Sequence, residues 1–309
     1  MFDLYLRHEW WFAATQLALA MLGMGATLSA DDFVGVFRQP RAFTVGALVQ
    51  VLGIPLIALA VNSALAPAAG IAFGLVLVAA MPGGAMSNVL TWFARGNVPL
   101  SIALTAVITL TSMVTAPLVL RLLAGDLVPP DFAMPVAAMA ADTVICLLLP
   151  LLLGMMVAVP LGTTERRGAF ARWCIRGSLA VVVLIAIGSA GAGRLTLDAN
   201  SGAAILAIAA FALLTQQAGT VAGWLAGLPR TDLAAIAIET NIRNTNLALL
   251  LKASLFPAVP GVADPLGDGV LFASLMYGAA AAPLAIPLIL VHRRLARREG
   301  PGGSGVGAR

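Results

Sequence analysis

The chain has 309 residues, of which 60% are hydrophobic and 10% charged, where a soluble domain carries roughly 25% charged residues. So few charges cannot cover a folded surface in water. That excludes an ordinary soluble globule, a disordered chain and a disulfide scaffold, and leaves an all-α polytopic membrane protein. Two cysteines supply neither a disulfide framework nor a four-ligand zinc set.

An apolar helix of about 20 residues crosses the hydrocarbon core. Nine such stretches are predicted in chain order, at 10–28, 43–61, 71–94, 98–124, 134–159, 176–193, 203–225, 233–255 and 270–291. No basic segment followed by a small-residue cleavage site precedes them, so no cleaved signal is expected. Alternate connections hold Arg38 and Arg41, then Arg95, then Arg166, Arg167 and Arg172, then Arg230, and finally Arg293, Arg294, Arg297 and Arg298. The opposite connections hold Asp126, Asp131, Asp198, Asp264 and Asp268, with Arg194 among few bases. Basic loops stay cytoplasmic, which predicts an external N-terminus and a cytoplasmic C-terminus in the cell's inner membrane. Arg95 is the poor fit, asking for a re-entrant or miscounted third stretch. The net charge of +4 is thus a topology signal, and no basic patch for nucleic acid is expected. The segment 293–309 reads as a basic, Gly-rich cytoplasmic tail.

Two stretches are interrupted. The third contains Pro82-Gly83-Gly84-Ala85-Met86-Ser87-Asn88, which breaks the helical ladder at membrane depth. The eighth contains Glu239-Thr240-Asn241-Ile242-Arg243-Asn244-Thr245-Asn246, polar except for Ile242. Ionisable residues at that depth point to function. The preceding stretches match weakly: Gln50 and Gly53 in the second correspond to Gln216 and Gly219 in the seventh. Paired broken helices in an inverted repeat indicate a secondary transporter with its site near the midplane. Plainer readings stay open at this point. Pro-Gly-Gly is also compatible with a simple kink. Glu239 and Arg243, four apart, could form a structural ion pair on a continuous helix. Ser101, Thr105, Thr109 and Thr111 could bond their own backbone, although Ser101 and Thr105 also suit one ligand face. Asp142 reads as solvated, His8 and His292 as interfacial, Cys146 and Cys174 as inert. An intramembrane hydrolase using Ser87 lacks a base other than Lys252, near a helix end, so no enzyme is expected. A channel would need a continuous polar stripe, whereas polarity here gathers at one depth.

The stretch Pro82–Thr91, followed by Ala94-Arg95-Gly96-Asn97-Val98 and Leu100-Ser101, resembles the Pro-Gly-Gly-Thr-Ala-Ser-Asn-Val-Met-Thr and Gly-Asn-Val-Ala-Leu-Ser signature of the bile acid:sodium symporter family. Gly23–Leu28 with Asp32-Phe33, and Ile238-Glu239 with Asn244, resemble further family segments. The resemblance implies nine helices in two inverted repeats. It implies a panel of helices 1, 5 and 6 moving against a core of helices 2–4 and 7–9, within a single transporter unit over 1–292. It implies sodium (Na+) as coupled ion and a small organic anion as substrate. Its first sodium site falls on Ser87, Asn88, Ser101, Thr105 and Glu239, an oxygen set that suits a hard cation. Its second would use Gln50, Glu239, the carbonyls of Thr240 and Ile242, and a glutamine that is Arg243 here. Arg243 is therefore expected to replace the second sodium, leaving one, and to contact substrate together with Asn241, Asn244 and Asn246. The alternative is a sodium-independent carrier with a fixed Glu239–Arg243 pair. Two more departures, Ala85 in the first signature and Met276-Tyr277 in place of a His-Asn pair, withhold the substrate's identity.

Overall fold

The structure is a computed structural model that describes residues 2–29, 39–84, 86–195 and 201–298. Asp32-Phe33, Arg38, Ala85, Asp198 and the tail from 299 onward lie outside the described residues. The elements are α1 (Phe2–Arg7), α2 (Glu9–Gly25), α3 (Pro40–Leu65), α4 (Ala69–Ala80), α5 (Met86–Phe93), α6 (Val98–Leu123), α7 (Val136–Leu161), α8 (Thr164–Gly191), α9 (Ser201–Leu225), α10 (Arg230–Asn241), α11 (Thr245–Leu255) and α12 (Pro265–Arg298). Among the described residues there is no strand, and α3, α6, α7, α8, α9 and α12 are long and apolar enough to cross a membrane. Each predicted stretch is occupied by one helix or, at the two interruptions, by a pair. This is a multi-pass α-helical membrane protein. Trp92, Trp173 and Trp224 lie exposed near one end and Trp11 near the other, the interfacial position such rings favour.

α3 and α7 each carry a π turn, at Val49–Gly53 and Val144–Leu148, just ahead of Pro55 and Pro150. Proline has no N–H and its ring crowds the carbonyl one turn back, and the wider turn relieves both problems. In α3 the widened turn carries Gln50, which is buried. α2 packs on α7 and α8. The approach to α7 is close enough that a Cβ on Gly25 would stand 2.0 Å from the Leu151 carbonyl oxygen, and one on Gly154 2.2 Å from that of Leu22. Only glycine fits there, as is usual where membrane helices meet backbone to backbone. A second group forms around α4, α9, α10 and α12.

Arg95 is not at odds with the other basic connections. The Asn97 amide donates to Thr231 O at 2.9 Å, and the Asn97 side chain donates to Asp232 at 2.7 Å and to Gln39 at 2.6 Å. The turn after α5 therefore shares one end of the molecule with the starts of α3 and α10. α4 begins at the other end, where Gly70 abuts Pro265 and Leu266. The third stretch, read as α4 plus α5, runs from one end to the other. Helix limits also shift. α8 starts at Thr164, capped by the Thr163 hydroxyl on the Arg166 amide at 3.3 Å, so Arg166, Arg167 and Arg172 ride on its first turns and not in a loop. α12 likewise carries Arg293, Arg294 and Arg297, and His292 on the same helix is buried. Asp142 is not merely solvated: it accepts hydrogen bonds from Ser254 and, at 3.4 Å, from Trp10. Cys146 and Cys174 are buried free thiols.

Candidate ion and substrate site at the crossed helix breaks

The two interruptions are complete separations, more than kinks. α4 stops at Ala80, Met81 is extended, and α5 begins at Met86. α10 stops at Asn241, Ile242 is extended, and α11 begins under an Asn244 cap, whose side-chain oxygen accepts from the Leu247 amide at 3.1 Å. The extended segments cross antiparallel at Gly83 and Arg243. The Gly84 amide donates to Ile242 O and the Asn244 amide to Pro82 O, both at 2.8 Å. Backbone groups freed from each helix thus satisfy the other, the condition for irregular backbone at membrane depth. Gly83 faces the Glu239 carboxylate so closely that a Cβ there would stand 1.8 Å from Oε1.

Five side chains from α5, α6 and α10 converge beside the crossing. Glu239 is fully buried. It accepts hydrogen bonds from Ser87 at 2.5 Å and Ser101 at 3.0 Å on one oxygen, and from Thr105 at 2.6 Å on the other. Asn88 Oδ1 accepts from Ser101 at 2.8 Å and from Thr105 at 3.4 Å. All five predicted first-site residues are therefore in one cluster. Their hydroxyls can rotate, so the oxygens now donating to the carboxylate can instead turn lone pairs toward a cation. Thr91 belongs here too: it is fully buried and donates to Ser101 Oγ at 3.3 Å. It lies one turn beyond Ser87, a spacing that would have pointed to it.

Arg243 does not pair with Glu239. Its guanidinium donates to Gln50 Oε1 at 3.0 Å, to Ala79 O at 2.9 Å and to Met81 O. Among the described residues no ion pair joins it to the carboxylate, so the fixed Glu239–Arg243 pair is corrected. The reason is the break: beyond Asn241 the chain is no longer helical, and the four-residue spacing ceases to mean one face. Gln50 and the carbonyl of Ile242 are thereby engaged, the former by Arg243 and the latter by Gly84. The three asparagines divide. Asn241 is buried, donating to Ala281 O at 2.9 Å and Gln216 at 3.3 Å, while its own carbonyl accepts from Tyr277 at 2.6 Å. Asn244 is the buried helix cap. Asn246 alone is half-buried, and its carbonyl accepts from Gln16 of α2 at 2.7 Å. Gln16, inside the first apolar stretch, was not singled out by the sequence although a lone buried amide there was a signal.

Crossed, half-length helices around an oxygen-lined carboxylate define a membrane transporter. The chain belongs to the sodium bile acid symporter family, whose model matches residues 14–192. It is 30% identical over 250 residues, 80% of this chain and 75% of the relative, to the uncharacterized sodium-dependent transporter YocS of Bacillus subtilis. It is 41% identical over 140 residues, 45% of this chain, to the probable chloroplastic sodium/metabolite cotransporter BASS2 of Oryza sativa, and the match spans 32% of that protein. It is 26% identical over 245 residues, 78% of this chain and 69% of the relative, to the human ileal sodium/bile acid cotransporter. These relatives are transporters and not enzymes.

Proposed function

We propose that this protein is a secondary transporter of a small organic anion, coupled to a single sodium ion bound by Ser87, Asn88, Ser101, Thr105 and Glu239. The observation that carries this reading is the convergence of four neutral oxygen-bearing side chains on one buried carboxylate at the crossing. One negative charge with neutral oxygens suits a monovalent hard cation. The names of the relatives, sodium-dependent and sodium/metabolite transporters, support the ion and the kind of cargo. Nine crossings in two inverted repeats fit the element order, with the mutual bonds of the two breaks as the repeat's centre. α2, α7 and α8 form the panel, and the remaining long helices the core. The basic end is cytoplasmic on this reading. A cysteine placed at Thr163 is then expected to react with an impermeant thiol reagent only from the cytoplasmic face, and one at Gly261 only from outside. The reverse pattern overturns the orientation.

The guanidinium of Arg243 takes the second sodium's place. It cannot lose its proton and already holds Gln50 and two carbonyls. At about 4 Å and an effective dielectric near 20, a second cation there meets repulsion of about 4 kcal/mol. The substrate's anionic group is placed at the adjoining N-termini of α5 and α11, whose positive dipole ends meet at the crossing, with Asn246 beside it. Uptake into proteoliposomes over a panel of monocarboxylates, sulfonates and sterol conjugates tests the reading. The wild type is expected to require a sodium gradient with a Hill coefficient near one. Arg243→Gln is expected to raise that coefficient toward about two by restoring a neutral ligand. A wild type indifferent to sodium, or already binding two ions, refutes it.

A further inference from the structure

We infer that Glu9, Lys252, Arg194 and Asp268 form an exchangeable ion-pair gate that closes the acidic end of the crevice between panel and core. Lys252 of α11 has no exposed side-chain surface and holds both oxygens of Glu9 of α2, at 2.8 and 2.9 Å. Arg194, just after α8, donates to the same Glu9 at 2.8 Å and to Asp268 of α12. The contacts sort by body. Lys252–Glu9 and Arg194–Asp268 cross from core to panel, whereas Arg194–Glu9 lies within the panel. Beside them Ser254 of α11 donates to Asp142 of α7 and accepts from Trp10 of α2 at 3.1 Å, a second crossing tie at the same end. At the midplane the only such bond among the described residues is Gln16 to Asn246 O. The closed acidic end is therefore held by charge.

The sorting explains how such a lock can open. A buried charge stripped of its partner costs several kcal/mol, which would make a simple two-residue bridge a permanent clasp. Here each body carries one cation and one anion. On separation the panel keeps Arg194–Glu9, which is already formed, and the core keeps Lys252 with Asp268. Two bonds across the interface are exchanged for one new bond within the core, and no bare ion remains. Two packings of similar energy are the requirement for a switch between states.

This inference rests on the two-body transport reading. The test uses the full chain in proteoliposomes, in a Cys146→Ala/Cys174→Ala background with a Ser254→Cys reporter and an impermeant thiol reagent on the acidic side. Glu9→Gln is expected to speed reporter modification at least about fivefold, as closure loses both bonds to Lys252 while the open form still pairs Lys252 with Asp268, whereas Asp268→Asn, which strands Lys252 only in the open form, is expected to leave the rate at or below the parent value. The charge swap Glu9→Lys/Lys252→Glu keeps both crossing pairs but leaves each body with like charges, so it is expected to bring the rate back to the parent value or below it. A separate Glu9→Cys/Lys252→Cys protein, with Ser254 retained, is expected to lose uptake on oxidation and regain it on reduction. An unchanged reporter rate in Glu9→Gln, a rate in Asp268→Asn raised as much as in Glu9→Gln, or full uptake by a fully cross-linked protein overturns the gate. A parent protein without uptake counts against the transport reading alone, since the reporter measures closure by itself.

Discussion

Glu239→Ala is expected to abolish sodium-driven uptake and sodium-induced thermal stabilisation together. The carboxylate is the one negative charge in the cluster, and Ser87, Ser101 and Thr105 all direct their hydroxyls to it. Without it, sodium meets only dipoles in a buried setting. By analogy with removing one partner of a buried ion pair, the loss is about 3–5 kcal/mol, roughly a hundredfold to a few thousandfold in affinity. Because a ligand that binds only the folded state raises the melting temperature, the parent protein should gain stability with rising sodium. The variant's melting temperature should stay flat. Uptake at the normal rate with unchanged sodium dependence would refute the assigned ion site.

Gly83→Ala is expected to be as damaging, although it removes no ligand. The added methyl carbon would stand 1.8 Å from Glu239 Oε1 and 2.6 Å from the carboxyl carbon. The backbone cannot yield easily, because the flanking residues are tied to the opposite break by the Gly84–Ile242 and Asn244–Pro82 bonds. The carboxylate must rotate away from its hydroxyls, and the crossing must loosen. Overpacking of this kind costs about 1–3 kcal/mol, in addition to the loss of ion binding. Uptake should fall at least a hundredfold, roughly the low end expected for Glu239→Ala. Gly125→Ala, where an added Cβ meets nothing within 4 Å, is the matched control and should behave as the parent. Normal sodium-dependent uptake by Gly83→Ala would mean that the carboxylate does not hold the place given to it.

Much of this architecture is legible in the sequence because lipid imposes simple rules. Long apolar runs must be helices, and Pro-Gly-Gly or a polar octet inside one must be tolerated for a reason. The ligand set of Ser87, Asn88, Ser101, Thr105 and Glu239 came through resemblance to a family. Composition alone marked Glu239 but could not bring α6 beside α10. Arg243 shows where local reasoning stops. Four-residue spacing predicts a pair with Glu239 only while the helix continues, and it ends at Asn241. The gate residues were hidden for another reason. Glu9 and Lys252 are 243 positions apart, Glu9 and Arg194 185. Each sits near the end of an apolar stretch, where a single charge resembles an ordinary interfacial residue. Only the packing of α2 against α11 shows that they are buried together.

The seat of Arg243 also bears on what can drive the cycle. On the proposed core-and-panel reading, a cation built into the chain travels with the core in both directions and contributes no net charge transfer. On the one-sodium reading, a turnover carrying a monovalent anion is electroneutral. The membrane potential, worth about 2.3 kcal/mol per elementary charge per 100 mV, then does no work on transport. A relative with two mobile sodium ions would be drawn inward by voltage, with one net positive charge per turnover. This protein would instead concentrate its cargo only as far as the chemical gradient of sodium allows, and would continue to do so across a depolarised membrane.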